Sequence, residues 1–167
     1  MGIFSKAKSL DDLAPDVRQV LCPDYTPELV GTKEYQRFLK ALLESENAIR
    51  LSIPRGEDLR LLIPCFKIWV AGQAGYEGLV AFTNRTVFHF GGSPFKMALT
   101  EIADVERLMH QDGYIIINII GRDAQPYSQF RLTPGNSATR YWSNTISFNL
   151  PDPKIASYVT RFLESLR

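Results

Sequence analysis

The sequence has no long apolar run and little net charge, and each shortage excludes a class of protein. No stretch of about eighteen apolar residues occurs, so no transmembrane helix is predicted. The first thirty residues carry Lys6, Lys8 and several aspartates where a secretory signal would have its apolar centre, which predicts a cytoplasmic chain. Nineteen basic and eighteen acidic residues leave a net charge of +1, so no global field would hold the chain on nucleic acid.

Cysteine and histidine are too few and too scattered to build a metal or redox centre. Cys22 and Cys65 do not form a CxxC motif, and in a cytoplasmic chain both are expected to stay reduced. His89 and His110 lie in separate predicted strands, without a cysteine or a carboxylate pair at ligand spacing. We therefore predict no metal site, no cofactor and no catalytic residue.

What the chain does have is enough apolar sequence, 45% of 167 residues, to fill a hydrophobic core. The first fifty residues show helical spacing. A first helix is predicted from apolar residues three and four apart, namely Leu10, Leu13, Val17 and Leu21. A second helix is predicted from Lys33 to about Asn47. Residues 1–53 are thus expected to be a helical segment in front of a domain over residues 54–167.

The second predicted helix carries one apolar stripe, made of Tyr35, Phe38, Leu39, Leu42 and Leu43. The stripe either packs on the main domain or docks a partner protein. In the second case Tyr35, Phe38 and Leu42 form the docking face.

From Leu59 to Asn149 the pattern changes to β-rich segments separated by turn residues. The predicted strands are Leu59–Val70, Gly78–Thr83, Thr86–Gly91, Phe95–Thr100, Val105–His110, Tyr114–Ile120, Gln125–Leu132 and Thr139–Phe148. Residues 71–76 are expected to form a hairpin loop, and Asn84-Arg85 a tight turn. Antiparallel connections without intervening helices exclude a doubly wound α/β sheet.

The chain ends in a predicted amphipathic helix, with Asp152 as its cap and Pro153 at its first position. Its apolar face consists of Ile155, Val159, Phe162, Leu163 and Leu166. We expect a mainly β protein with flanking helices, an antiparallel barrel of about seven strands whose open end this helix closes.

Two segments resemble the pleckstrin-homology-like superfamily, in particular GRAM and bacterial pleckstrin-homology-like domains. Gly78–Phe90, GLVAFTNRTVFHF, resembles their central hairpin, in which an apolar strand ends in Thr-Asn and a basic residue and a second apolar strand follow. Met97–Glu106 resembles the next piece, a strand leading to an Ile-x-x-Val spacing, here Ile102 and Val105. The resemblance spans about Leu59 to Leu166 and implies a pleckstrin-homology-like barrel.

The resemblance also implies a non-catalytic binding or adaptor module that recognises a protein or a peptide. Binding of anionic lipid headgroups at the membrane periphery is the alternative, and homo-oligomers are a further option, since some bacterial relatives form rings. The predicted first loop and second strand lack the basic residues with which many relatives hold phosphoinositides. A headgroup would therefore depend on Lys67, Arg85 and Lys96.

A third reading comes from aromatic and basic residues that alternate late in the chain, namely Tyr127, Phe130, Arg131, Arg140, Tyr141 and Trp142. Such alternation is typical of OB-like barrels that stack single-stranded nucleic acid. The carboxy-terminal helix argues against that fold, so nucleic acid is the less favoured partner. These aromatic residues are then expected to pack into the barrel wall.

Overall fold

A computed structural model of the chain describes residues 10–23, 33–71, 73–90, 95–151 and 153–166. The helices are α1 (Pro15–Gln19), α2 (Lys33–Ser52) and α3 (Pro153–Ser165), and short 3-10 turns cover Leu10–Asp12 and Leu99–Glu101. The strands are β1 (Leu59–Val70), β2 (Gln73–Thr83), β3 (Thr86–Phe90), β4 (Phe95–Ala98), β5 (Ile102–Met109), β6 (Ile115–Gly121), β7 (Pro126–Thr133), β8 (Asn136–Tyr141) and β9 (Thr145–Leu150).

Seven strands form one sheet in the order β4-β3-β2-β1-β9-β6-β5, and each pair of neighbouring strands in it is antiparallel. The remaining pair, β7 and β8, forms a separate antiparallel hairpin, which we call the ribbon. The predicted mainly β, antiparallel architecture with a carboxy-terminal helix is therefore confirmed.

The seven-stranded sheet is strongly curled, because its two edge strands are neighbours in sequence. Strand β4 ends at Ala98 and β5 begins at Ile102, so their ends lie within about 14 Å of each other. In a flat sheet the first and seventh strands would be about 29 Å apart. The curl stops short of the expected closed barrel: among the described residues, β4 and β5 are not paired with each other.

The inside of the curl holds the main hydrophobic core, and all three helices of the described residues contribute to it. Helix α3 buries Ile155, Val159 and Leu163 there, as its apolar spacing predicts. The ring of Phe162 meets Phe82 of β2 edge-on, with centroids 5.5 Å apart. The carboxy-terminal helix thus lies against the interior of the sheet.

The amino-terminal helices share this core. Leu13, Val17 and Leu21 are all buried in it, which confirms the predicted apolar spacing. The backbone N–H of Cys22 donates to the carbonyl of Leu62 in β1 at 2.8 Å. Residues 10–23 are thus tied to the sheet by hydrogen bonds as well as by packing, and the division at residue 53 stays a prediction.

Three local predictions differ from the structure. The first helix is broken into a 3-10 turn and α1, because Pro15 lacks the N–H that a continuous helix would need. Strand β2 begins at Gln73 and not at Gly78. The composition of residues 73–77 favours a loop, but backbone pairing with β1 holds this segment in the strand. The predicted strand Thr139–Phe148 is two strands, β8 and β9, which pair with different partners.

Candidate functional site

The ribbon lies over the outer face of the sheet, opposite the main core. Alternate residues of β6 face the two sides: Ile115 and Ile117 belong to the main core, whereas Ile116 packs with the ribbon residues Leu132 and Ala138. Both faces of β6 are therefore covered, and all seven of its residues are buried. This explains a run of isoleucines where a half-exposed strand would alternate with polar residues.

A sharp turn between β8 and β9 returns the chain from the ribbon to the sheet. Asn144 adopts a left-handed backbone conformation with φ of 48°, which asparagine tolerates better than most residues. The N–H of Gly121 donates to the carbonyl of Asn144 at 2.9 Å, and a Cβ at Gly121 would collide with the Asn144 side chain. Glycine at position 121 thus permits the close approach that places the ribbon.

Between the ribbon and the outer face of the sheet lies a cavity of about 230 Å³, which we call the ribbon cleft. It opens to solvent, and four aromatic side chains contribute to its lining: Trp69, Tyr114, Phe130 and Tyr141. Ile116 adds an aliphatic surface from β6. The ribbon cleft therefore presents aromatic and aliphatic surface with polar groups between the rings.

The floor of the ribbon cleft is a polar row that crosses the sheet. Asn118 Nδ2 donates to Glu106 Oε2 at 3.0 Å, and Ser147 Oγ donates to Asn118 Oδ1 at 2.7 Å. Trp69 is paired with Ser147 across the β1–β9 ladder and continues the row. Because these polar groups bind one another, the floor is ordered before any ligand arrives.

One end of the ribbon cleft is formed by the β5–β6 turn. His110 stacks on Tyr114 with ring centroids 4.4 Å apart and planes 8° from parallel. The Nδ1 atom of His110 accepts from the backbone N–H of Asp112 at 3.1 Å. Burial, with a further contribution from the Asp112 carboxylate, raises the pKa of Tyr114, so its hydroxyl stays protonated at neutral pH.

The ribbon wall of the cleft carries two arginines. The guanidinium carbon of Arg140 lies 5.5 Å from the centroid of the Phe130 ring, within the range of a cation–π contact. Arg131 is exposed, and Arg140 is half-buried. Burial, followed by Glu106 and Asp104, raises the pKa of the neighbouring Tyr141. The rim of the cleft thus holds charges of both signs.

The three basic residues predicted to hold a headgroup do not lie in one register row. Lys96 pairs with Phe88, and that row crosses β1 at Leu62, so Lys67 lies about 16 Å further along the strand. Arg85 is exposed in the β2–β3 turn, beyond the opposite end of that ladder. The side chain of Lys67 is outside the described residues. Their role in binding stays a prediction.

The β2–β3 turn itself is confirmed, and its geometry is set by a carboxylate. Glu57 accepts hydrogen bonds from the hydroxyls of Thr83 at 2.6 Å and Thr86 at 3.0 Å. These bonds clamp the two strand ends on either side of Asn84-Arg85. Thr83, the threonine of the predicted Thr-Asn pair, therefore helps to fix the β2–β3 turn.

The predicted docking face on α2 needs a correction at Leu42. This side chain is 1% exposed and packs in the main core with Leu39 and Ile49, so it is not offered to a partner. A stripe at helical spacing cannot by itself distinguish a core from a docking surface, because both require apolar residues. The side chains of Tyr35 and Phe38 lie outside the described residues, and their docking role stays a prediction.

The ribbon cleft is not predicted from the sequence. The alternating aromatic and basic residues near the end of the chain all fall on the ribbon or directly after it, namely Tyr127, Phe130, Arg131, Arg140, Tyr141 and Trp142. The expectation that all these aromatics pack inward is wrong, because Tyr127 is 62% and Trp142 63% exposed. The floor, to which Trp69 and Asn118 contribute, comes from distant strands and could not be linked to the ribbon without the fold.

The remaining findings bear on the class of protein. No family model matches the chain, and no curated protein matches it either. No described helix is long and apolar enough to cross a bilayer. In the part of the chain that the structure describes, His, Cys, Asp and Glu side chains form no cluster of three that could hold a metal ion.

Proposed function

We propose that this protein is a non-catalytic binding module of the pleckstrin-homology-like kind and that it recognises a protein or a peptide partner at the ribbon. The observation that carries the proposal is the ribbon cleft, an open aromatic cavity with an ordered floor and two arginines on its wall. Exposed Tyr127 lies on the ribbon, and exposed Trp142 directly follows it. Tyrosine, tryptophan and arginine are the residues that dominate binding energy at protein interfaces.

The classification as pleckstrin-homology-like is supported by the curled seven-stranded antiparallel sheet with a helix after its last strand. In this reading the ribbon is an insertion between β6 and β9, which are neighbours in the sheet. The main core would serve as the scaffold, and the inserted ribbon would supply recognition.

Binding is favoured over catalysis by the way the polar groups of the cleft are used. Ser147 donates to an amide oxygen and not to a histidine, and the Nδ1 atom of His110 lies against the backbone N–H and the carboxylate of Asp112, with no serine hydroxyl or cysteine thiol of the described residues as its partner. A nucleophile with an adjacent base, which covalent catalysis requires, is not formed by these described residues. The same groups are well suited to orient a bound chain.

The test uses Trp69 as the single fluorescent reporter. Trp142→Phe leaves Trp69, in the floor of the cleft, as the only tryptophan of the chain. Peptides selected from a random display library on the wild-type protein should shift the Trp69 emission of this variant on binding. Binding should weaken at least tenfold in Phe130→Ala and remain unchanged in Arg161→Gln, which alters an exposed arginine on α3.

Two results would overturn the proposal. One is that the selection enriches no peptide above an unrelated bait. The other is that the enriched peptides bind Phe130→Ala and Arg140→Gln as tightly as the wild type. Circular dichroism of each variant distinguishes loss of the site from loss of the fold.

A further inference from the structure

The chemistry of the ligand follows from which polar groups in the ribbon cleft are still available. Among the described residues, Arg131 and Arg140 have no carboxylate within 4.0 Å, and their guanidinium groups donate no hydrogen bond. Arginine is a planar double donor that suits the two oxygens of a carboxylate. The contact with Phe130 holds Arg140 along the wall, so part of the ordering needed for binding is already done.

The floor offers apolar surface beside a polar row whose groups are already paired with one another. The amide of Asn118 already bridges Glu106 and Ser147, while Trp69 and Ile116 present apolar surface beside it. A ligand that fits both walls therefore places an apolar group on the floor and an anionic group towards the ribbon.

The size of the cavity limits the ligand to one side chain or chain end. Pockets that enclose a complete small molecule usually measure about 300–1,000 Å³. The ribbon cleft, at about 230 Å³, is smaller, and at about 30 Å³ per water it corresponds to roughly eight water molecules.

The charge around the cleft favours a single negative charge over two. Asp104 and Glu106 lie close enough to Tyr141 to raise its pKa, and Asp112 acts in the same way on Tyr114. These carboxylates would repel a doubly charged phosphate more strongly than a carboxylate. A monoanion can be held by Arg140, which lies over Phe130 on the wall of the cleft, while its apolar part avoids the acidic rim.

We infer that the ribbon cleft binds an apolar group of side-chain size joined to a carboxylate, the chemistry of a polypeptide's carboxyl terminus with an apolar last residue. A free aromatic acid has the same chemistry and is the other source of such a ligand. The inference rests on the proposed function and specifies which part of the partner enters the cleft.

The experiment compares acids with their amides, using Trp69 emission in the Trp142→Phe variant. The probes are N-acetyl-phenylalanine and a Gly-Ser heptapeptide ending in phenylalanine, each as the free acid and as the amide. We expect the free acid to bind at least tenfold more tightly than the amide. Arg140→Gln should remove that preference, Arg140→Lys should restore part of it, and Arg161→Gln should preserve it.

The outcomes separate the two sources and the two proposals. A heptapeptide acid that binds more tightly than N-acetyl-phenylalanine identifies a chain end, whereas equal binding identifies a free aromatic acid. If acid and amide bind equally, or neither binds, the inference is wrong. The proposed function would still stand if library peptides bind at the cleft. If Arg140→Gln disturbs the ribbon, Arg140→Lys, which keeps the positive charge, provides the second test of the anion contact through the acid preference that it retains.

Discussion

The two faces of β6 are buried by very different means. Its inner face joins a core to which the seven-stranded sheet and all three helices contribute, whereas its outer face is covered by a two-stranded ribbon through Ile116, Leu132 and Ala138. A two-stranded hairpin is at best marginally stable alone and needs such packing to persist. The main core is thus suited to stability, and the thinly attached ribbon is suited to recognition.

The largest effect should come from the main core. Phe148 of β9 is fully buried, so Phe148→Ala is expected to lower the free energy of unfolding by about 3–5 kcal/mol. Urea denaturation measures this change. Leu51→Ala, at a side chain that is 87% exposed on α2, is the control and should change it by less than about 0.5 kcal/mol. Similar losses of unfolding free energy in the two variants would contradict the burial of Phe148 in the main core.

The carboxy-terminal helix should follow with a smaller effect. Phe162 is half-buried and meets Phe82 edge-on, so Phe162→Ala is expected to lower the free energy of unfolding by about 2 kcal/mol. The same urea titration tests it. A loss below about 0.5 kcal/mol would mean that α3 does not depend on this contact.

The ribbon should open without the main core. Leu132→Ala is expected to lower the protection of ribbon amides against hydrogen exchange by about 2 kcal/mol, while β1 and β9 keep theirs. Tyr127→Ala, an exposed position on the same strand, is the matched control.

Thiol labelling gives an independent test of whether the ribbon opens while the main core stays closed. Cys22 and Cys65 are both buried in the main core, and burial raises the pKa of the Cys65 thiol well above its ordinary value. Labelling should accelerate in Phe148→Ala and not in Leu132→Ala. If Leu132→Ala accelerates it as much, the two regions unfold together and the comparison fails.

A surface ion pair should matter less than either hydrophobic region. Arg50 on α2 donates to both carboxylate oxygens of Asp16 on α1, at 2.7 and 2.9 Å, and this contact lowers the pKa of Asp16. The pair therefore stabilises the fold above the ordinary pKa of aspartate, and that contribution disappears as the pH falls through the lowered folded value.

The pH dependence is measurable despite the exposure of the pair. Arg50→Gln should move the Asp16 pKa back towards its ordinary value in an NMR titration, and should remove a small part of the acid sensitivity of unfolding. An unchanged pKa would show that the ion pair is not formed in solution.

The smallest expected effect concerns lipid. Because Lys67, Arg85 and Lys96 do not share a register row, we expect no measurable binding to phosphoinositide vesicles at physiological salt, where surface charges are screened beyond about 8 Å. Sedimentation with vesicles tests this. Saturable binding that Arg85→Gln abolishes would instead support the lipid alternative and move the site away from the ribbon.

Local sequence was sufficient to determine most elements of this protein. The spacing of Ile155, Val159 and Leu163 predicted α3, and the span of β1 was predicted to the residue, because side-chain periodicity depends on neighbours in the chain. The turn at Asn144 was missed, since a single left-handed residue is a weak signal between Tyr141, Trp142 and Ile146, which all favour strands.

Which side chains of those elements are buried and which are exposed was decided by the tertiary structure alone. Leu42 and Trp142 are both large apolar residues, yet one is buried in the core and the other is exposed on the ribbon. The cleft exists because β1, β6 and β9 bring Trp69, Asn118 and Ser147 into one row and the ribbon then covers it. Pairing between strands far apart in sequence sets that row, and no local pattern encodes which strand will be the neighbour.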